Sequence, residues 1–447
     1  MSSKKYDYDV LYIGSGHACF DGAIPLASKG VKVGIIEKGT IGGTCPNRGC
    51  NAKITLDAPV NLKRAFQRLN GIVSGNLKIN WNKNFQHKEE VIKGLPDFIS
   101  GSLKSANVDV IHGNGILKDS HTVEINEKET KTADKIVIGT GQHPHRLDIP
   151  GEDLAGDSSD FMNLKKLPKH ILILGAGYVA MEFATIANAS GADVTVLTHG
   201  NKALRAYHQE FVETIIQDLE KRGVKFVRKT EPKAFSKKDD KLNVETKDGN
   251  NFECDWILDA TGRVPNVKNI GLEKVGIDYN PHGIVVNDHL QTNVSNIYAS
   301  GDVIDKKQPK LTPTAIFESL YLTQSFLHEN TQPIDYPAIP SVVFTSPRIS
   351  QVGISYQTAK NNPSKFKIEN GNLEGDWFRQ VEKETIDNYY LIFDKNENLV
   401  GASEVSERAV NVINTLLPAI EFKLNKKQIG RLIYLFPSIE SATNDLL

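Results

Sequence analysis

Two short apolar runs, Asp9–Ile13 and Ile171–Leu174, each lead straight into Gly-x-Gly and then a helical stretch, and about 160 residues separate them. Strand, glycine turn and helix in that order open a βαβ unit, so the chain has to build two dinucleotide-binding folds. In the first, Gly14-Ser15-Gly16-His17-Ala18-Cys19 precedes a helix to Lys29 and a strand from Val31 to Ile36, closed by Glu37. Gly14 permits the tight turn. Gly16 lets backbone approach a pyrophosphate, which then sits at a helix N-terminus where free N–H groups and the dipole favour an anion. Glu37, 23 residues after Gly14, can accept from ribose hydroxyls, and Cys19 takes the third small position.

The second unit reads Gly175-Ala176-Gly177-Tyr178-Val179-Ala180, a helix to about Ser190, then a strand Val194–Leu197. Two such units imply two nucleotides. An NAD site calls for Asp or Glu after the second strand; here Thr198, His199 and Gly200 are followed by Lys202 and Arg205. Neutral and cationic groups suit a 2′-phosphate, so NADPH is expected in preference to NADH, unless these residues form an ordinary solvated loop.

Only four residues separate Glu37 from the run Gly42 to Lys53, which carries Cys45 and Cys50. A cysteine pair there reads as a redox disulfide beside a flavin. Two plainer readings compete: buried structural cysteines, or half of a zinc site. Zinc would need two further ligands, and only Cys19 and Cys254 remain, each isolated in an apolar context, so no metal is expected. Cysteines five apart point roughly 140° from each other on a regular helix. Bonding them requires a distorted turn, for which Pro46 and Gly49 are suited. Arg48 inside the loop either favours a thiolate or points to solvent.

At 447 residues, two or three domains are expected, and a net charge of −1 argues against a nucleic-acid stripe or an anionic-membrane surface. No stretch approaches the ~20 apolar residues of a membrane span, and Met1–Tyr8 lacks an apolar targeting segment. A cytoplasmic location follows, where a disulfide is catalytic more often than structural. Two further strands end in Thr-Gly, at Thr140-Gly141 and Thr261-Gly262, and another ends in Gly301-Asp302, whose carboxylate can accept from a polyol. From about Tyr336 the pattern is α+β: a hairpin joins Tyr389–Phe393 to Leu399–Ala402, with helices expected near Glu404–Phe422 and from Asn425.

With these residues assembled, the chain resembles the class I flavoprotein disulfide reductases, the pyridine nucleotide-disulfide oxidoreductases that include glutathione reductase, dihydrolipoamide dehydrogenase and mercuric reductase. The resemblance rests on Gly42-Gly43-Thr44-Cys45 with Cys50 and Lys53, on the run to Glu182, on Ala260–Asn266, on Gly301-Asp302 and on Leu311-Thr312-Pro313. It implies an α/β fold with two Rossmann-like domains and a C-terminal α+β dimerisation domain. The implied boundaries are 1–142 with 267–335 for FAD, 143–266 for NAD(P)H, and 336–447 for the interface of a homodimer. It further implies that Cys50 faces the flavin, Cys45 is the interchange thiol, and Lys53 pairs with Glu182 beside the flavin. Tyr178 becomes the lid over the flavin. FAD contacts map to Gly14, Gly16, Glu37, Thr44, Lys53, Gly115, Gly141, Asp302 and Thr312. Those to NADPH map to Gly175, Gly177, Tyr178, Val179, Glu182, His199, Arg205 and Gly262.

One part of the pattern departs. Disulfide-reducing members carry a C-terminal His-Pro-Thr-x-x-Glu whose histidine serves the interchange thiol as acid and base; alignment through Pro437 puts Phe436 and Ser441 there. Tyr434 and Glu440 are the nearby substitutes, neither well suited. Mercuric reductase and the larger thioredoxin reductases use a second C-terminal redox pair, but no cysteine follows Cys254. The leading expectation is electron flow from NADPH through FAD and Cys45-Cys50 to a low-molecular-weight disulfide. The alternatives are a non-disulfide small-molecule acceptor, such as a metal ion or quinone, and a redox-sensing flavoprotein that does not turn over.

Overall fold

The structure, a computed structural model, describes residues 6–373 and 375–444. The chain divides into two compact units, one of residues 1–55, 86–145 and 263–335, the other of residues 56–85, 146–262 and 336–447.

The first unit is organised by Tyr8–Ile13, the central strand of a sheet that runs Asp109–His112, Val33–Glu37, Tyr8–Ile13, Glu129–Ile138, with Ile297–Ala299 beyond. All of these pair in parallel, with Tyr12 beside Ile35 and Val137 on its two sides. Such strands are apolar throughout because helices cover both faces, and Leu11, Tyr12, Ile35, Ile136 and Ile297 are fully buried. The first part of Glu129–Ile138 also pairs antiparallel with Thr122–Ile125, which carries Gly115–Leu117 at the edge. The helix Phe20–Ser28 starts from the glycine turn, as the sequence requires, and lies against Thr312–Phe326, whose Thr323 hydroxyl donates to the Gly22 carbonyl at 3.0 Å. The second strand begins at Val33, two residues later than its apolar run.

The second unit holds the other glycine turn. Its parallel sheet runs Lys225–Arg228, Asp193–Thr198, His170–Leu174, Trp256–Asp259, Ala155–Gly156, with the helix Tyr178–Ser190 following Gly177. The C-terminal segment forms a five-stranded antiparallel sheet in the order Ser341–Val343, Arg348–Gly353, Leu399–Ser406, Asn388–Asp394, Phe366–Asn372. The helix Ala409–Glu421 packs Val412, Ile413 and Leu416 onto Val352, Leu391 and Leu399. Sequence reading started this helix near Glu404; instead the strand continues to Ser406. Glu404 pairs in register with Ser350 and Tyr389, and its carboxylate is drawn inward to Arg379 at 2.9 Å. Beyond Asn425, which caps it, the next helix is a single turn, Lys426–Ile429.

Two buried charge groups tie this unit together. Arg348 donates to Asp57 at 2.7 Å and lies over the Phe344 ring. Arg379 faces three carboxylates, Glu384 at 2.9 Å, Asp387 at 2.7 Å and Glu404 at 2.9 Å, all almost fully buried. One guanidinium cannot neutralise three carboxylates out of water, so burial and the neighbouring Glu404 push Asp387 up to about 8. An unfolded aspartate ionises near 3.8. The folded protein therefore holds an extra proton between those values and loses stability as pH rises through that window. Asp387→Asn is expected to flatten this dependence, narrowing by at least about 1 kcal/mol the gap between urea stabilities at about pH 5 and about pH 8.

Candidate functional site

The redox loop is built from the sequence Gly42-Gly43-Thr44-Cys45. A short helix, Thr44–Arg48, breaks at Gly49, and a second helix, Cys50–Arg68, starts on the next residue. The break supplies the distorted turn that the five-residue spacing requires. Asn47 fastens the loop by donating to the carbonyls of Ile41 and Gly43, both at 2.9 Å. The loop in turn is held against the nucleotide turn: the Gly42 N–H donates to the Ser15 carbonyl and hydroxyl at 3.2 and 3.1 Å, and Ser15 donates to Glu37. Gly43 has φ +70°, and a Cβ there would lie 2.8 Å from the Gly16 Cα. Only glycine fits.

Cys45 and Cys50 are within hydrogen-bond reach as thiols, and they differ sharply in acidity. The Cys45 S–H donates to Cys50 and draws it down to about 6 against the opposing effect of burial, with the Thr312 hydroxyl and the charge of Lys53 assisting. Thr312 Oγ1 lies 3.6 Å from the Cys50 sulfur. Lys53, at i+3 on the same helix, is the cation acting on Cys50; the sequence reading considered Arg48. Cys45 moves the opposite way, held far above the ordinary thiol range by its bond to Cys50 and by burial. Cys19 and Cys254 are buried elsewhere, and burial pushes Cys254 up to about 12.

The first glycine turn has the form a pyrophosphate cradle needs. Gly14 has φ +111°, and a Cβ there would meet the Gly139 carbonyl at 2.5 Å. Cys19, at the fingerprint's third position, serves the packing role by lying on Gly139, to whose carbonyl its S–H donates. Glu37 ends the second strand beside Ser15, and Gly115 lies on the edge strand with Ile36 against it. Gly141 follows Thr140, whose hydroxyl donates to the Asn266 carbonyl at 2.9 Å. Asp302 stands in the turn Gly301–Val303, where Lys310 donates to its carbonyl at 3.0 Å.

In the second unit, Gly175, Gly177, His199 and Arg205 line one cleft of about 610 Å³, together with Lys202 and Lys247. His199 is largely exposed and lies 3.0 Å from Glu231, which also pairs with Lys247 at 2.6 Å. Sequence reading missed Glu231 and Lys247 because they come from loops more than thirty residues downstream. Tyr178, Val179 and Glu182 sit on the helix that starts at the cleft, and Tyr178 is half exposed. Glu182 is buried, accepting from the Phe344 N–H at 2.9 Å. Gly262 follows Thr261, which lines the cleft and is fixed by Asp259.

The family comparison decides what these parts belong to. Residues 8–319 match the model for pyridine nucleotide-disulphide oxidoreductases, and residues 339–446 match that family's dimerisation domain. The chain belongs to the pyridine nucleotide-disulphide oxidoreductases. It is 30% identical to a glutathione reductase of Nostoc, covering 97% of this chain and 98% of that one. It is 29% identical to a dihydrolipoyl dehydrogenase of Bacillus subtilis, over 97% and 94%. Its structure resembles the HOCl-induced flavoprotein disulfide reductase RclA from Escherichia coli, with a TM-score of 0.89, 26% identity, and coverage of 98% and 99%.

Membership makes the chain an enzyme, a flavoprotein oxidoreductase with a redox disulfide and a dimerisation domain, and FAD the flavin of its family. The glycine cradle, Glu37 and the Cys50–Lys53 face fit that cofactor. Among the described residues no helix is long and apolar enough to cross a membrane.

Lys53→Met is expected to raise the Cys50 pKa above about 6, by roughly half a unit to one unit. The pH midpoint of Cys50 alkylation in dithiothreitol-reduced protein reads this directly.

Proposed function

We propose that the enzyme carries electrons from NADPH through FAD to the Cys45-Cys50 disulfide, and from there to a low-molecular-weight disulfide. The observation that carries this reading is the split in acidity across the pair: Cys50 is set up as a standing thiolate and Cys45 as the thiol that must exchange a proton when it reacts. FAD, when bound, supplies the two-electron link between nicotinamide and disulfide. Thr44, Gly115, Gly141, Asp302 and Thr312 are assigned to holding it, residues 1–142 and 267–335 forming its domain. Residues 143–266 are assigned to holding the nicotinamide nucleotide, with Tyr178 and Glu182 on the helix that starts at its cleft.

Preference for NADPH is supported by Lys202, Arg205 and Lys247 in the cleft, against the acidic Asp148 and Glu231. Arg205→Ala is expected to raise KM for NADPH about tenfold or more while changing that for NADH little, since only one of the two carries the 2′-phosphate. Steady-state kinetics with both nucleotides reads the difference.

Residues 336–447 are assigned to a homodimer interface, supported by the dimerisation-domain match and by the exposed Trp377, Phe422, Ile433, Leu435 and Phe436.

A second reading keeps the electron chain and changes the acceptor to a metal ion or quinone. It is favoured by the C-terminal segment, where Phe436 stands with Trp377 against its ring and cannot move a proton. Ser441 donates to the Ser438 carbonyl, Glu440 reaches Asn411, and burial pushes Tyr434 upward. Anaerobic NADPH titration is expected to give the long-wavelength charge-transfer band of the Cys50 thiolate. NADPH consumption with small disulfides, and none with metal ions or quinones, supports the first reading; the reverse supports the second. Bleaching of the flavin without the band rules out both relays.

A further inference from the structure

Three segments of the second unit that are distant in the chain meet at one edge of its parallel sheet. The strand Asp193–Thr198 lies beside Lys225–Arg228, with Thr198 opposite Arg228, so both leave the sheet at the same edge, where ligand-binding residues gather in such folds. Just beyond, the Thr230 N–H donates to the Thr198 carbonyl at 3.0 Å, which brings the next residue of each segment, His199 and Glu231, together. Lys247 joins them from the turn after Lys241–Thr246: its N–H donates to the Glu231 carbonyl at 2.9 Å, and Thr246 stands opposite Pro232 in the antiparallel pair. Arg205 is held nearby. The Leu204 N–H donates to the Ala176 carbonyl in the glycine turn at 2.9 Å, and the Arg205 guanidinium lies beside Gly200.

Backbone bonds therefore fix Glu231 among cations. Its Oε1 lies 3.0 Å from His199 Nδ1, and its Oε2 lies 2.6 Å from Lys247 Nζ. The hydrogen bond from Lys247, against the opposing effect of desolvation and with the charges of His199 and Lys247 assisting, holds the Glu231 carboxyl below the ordinary carboxylate range. The same three groups line the cleft of about 610 Å³ together with Lys202 and Arg205. A 2′-phosphate is an anion that needs these cations, and a carboxylate already paired with two of them competes with it. A 2′-hydroxyl behaves differently: it donates, and a carboxylate accepts from it, the part that an acidic residue plays in NAD sites. One side chain thus opposes one nicotinamide nucleotide and serves the other.

We infer that Glu231 is a specificity-determining residue of this cleft: a built-in counter-ion to His199 and Lys247 that a 2′-phosphate has to displace, and an acceptor for the 2′-hydroxyl of NADH. This rests on the nucleotide reading proposed above and deepens it. Lys202 and Arg205 favour NADPH, and Glu231 narrows that preference, so the cleft accepts both nucleotides. The acid stands at the end of the neighbouring strand and not of the strand that leads into His199, which is why the residues after Leu197 do not announce it. Its side chain is 37% exposed, so water screens its charge, and its effect is a factor in affinity of about five to ten and not an absolute bar.

The test measures binding of adenosine 2′,5′-bisphosphate and of 5′-AMP to the oxidised, FAD-loaded enzyme by isothermal titration calorimetry, in wild type, Glu231→Gln, Lys247→Met and the double variant. The two fragments carry the same ribose with and without the 2′-phosphate, and neither requires hydride transfer or an electron acceptor. Glu231→Gln is expected to tighten the bisphosphate about five- to tenfold and to leave 5′-AMP no tighter. Lys247→Met is expected to weaken the bisphosphate more in the Glu231→Gln background than in wild type, because there the ammonium is released from its carboxylate, a coupling that a merely structural role for Glu231 would not produce. Tightening of both fragments alike, or of neither, overturns the inference. The NADPH preference is read separately, from wild type alone. Wild type that binds 5′-AMP as tightly as the bisphosphate counts against that preference, while a gain confined to the bisphosphate in Glu231→Gln still supports the role of Glu231. Wild type that favours the bisphosphate by a ratio that Glu231→Gln does not change keeps the preference and strikes the role of Glu231.

Discussion

The feature on which the rest of the first unit depends is a contact between two pieces of backbone. Gly43 approaches Gly16 so closely that position 43 tolerates no side chain, and Ser15 closes the join with hydrogen bonds to Gly42 and Glu37. The contact makes one rigid object of the nucleotide turn and the redox loop. A cofactor held at the first is thereby presented to the sulfurs of the second without a flexible linker between them, which is what short-range electron exchange requires.

Charge placement does the remaining work. At the redox loop the Cys45 S–H, a threonine hydroxyl and a lysine one turn on converge on Cys50 and lower its pKa, while Cys45 is held up as the protonated partner. In the second unit, buried charge serves architecture instead. Arg348–Asp57 and the Arg379 cluster place ionised groups deep in the protein, where removing one partner is far more costly than the pair is stabilising. Surface pairs such as Lys118–Glu124 carry little of this burden.

Much of the fold was legible in the chain. Parallel strands covered on both faces must be apolar runs, and glycine turns must follow them, so both βαβ units stood out, and each strand-to-helix order held. The helix expected from Glu404 did not, because that segment's polar residue is pulled into a buried ion cluster whose other members, Arg379, Glu384 and Asp387, are close in space and not in pattern. The candidate site divides the same way. Cysteine spacing, with Pro46 and Gly49, announced a distorted turn; the cation acting on Cys50 is Lys53, where the sequence reading had weighed Arg48 against solvent and given Lys53 to Glu182.

The sequence by itself determined the two nucleotide folds and the redox pair, because each is written in local spacing. Tertiary structure alone decided which groups act on Cys50, which downstream loops line the cleft of the second unit, and which carboxylates gather on Arg379. Those outcomes depend on distances between groups far apart in the chain, and acidity and proton transfer follow distance through space.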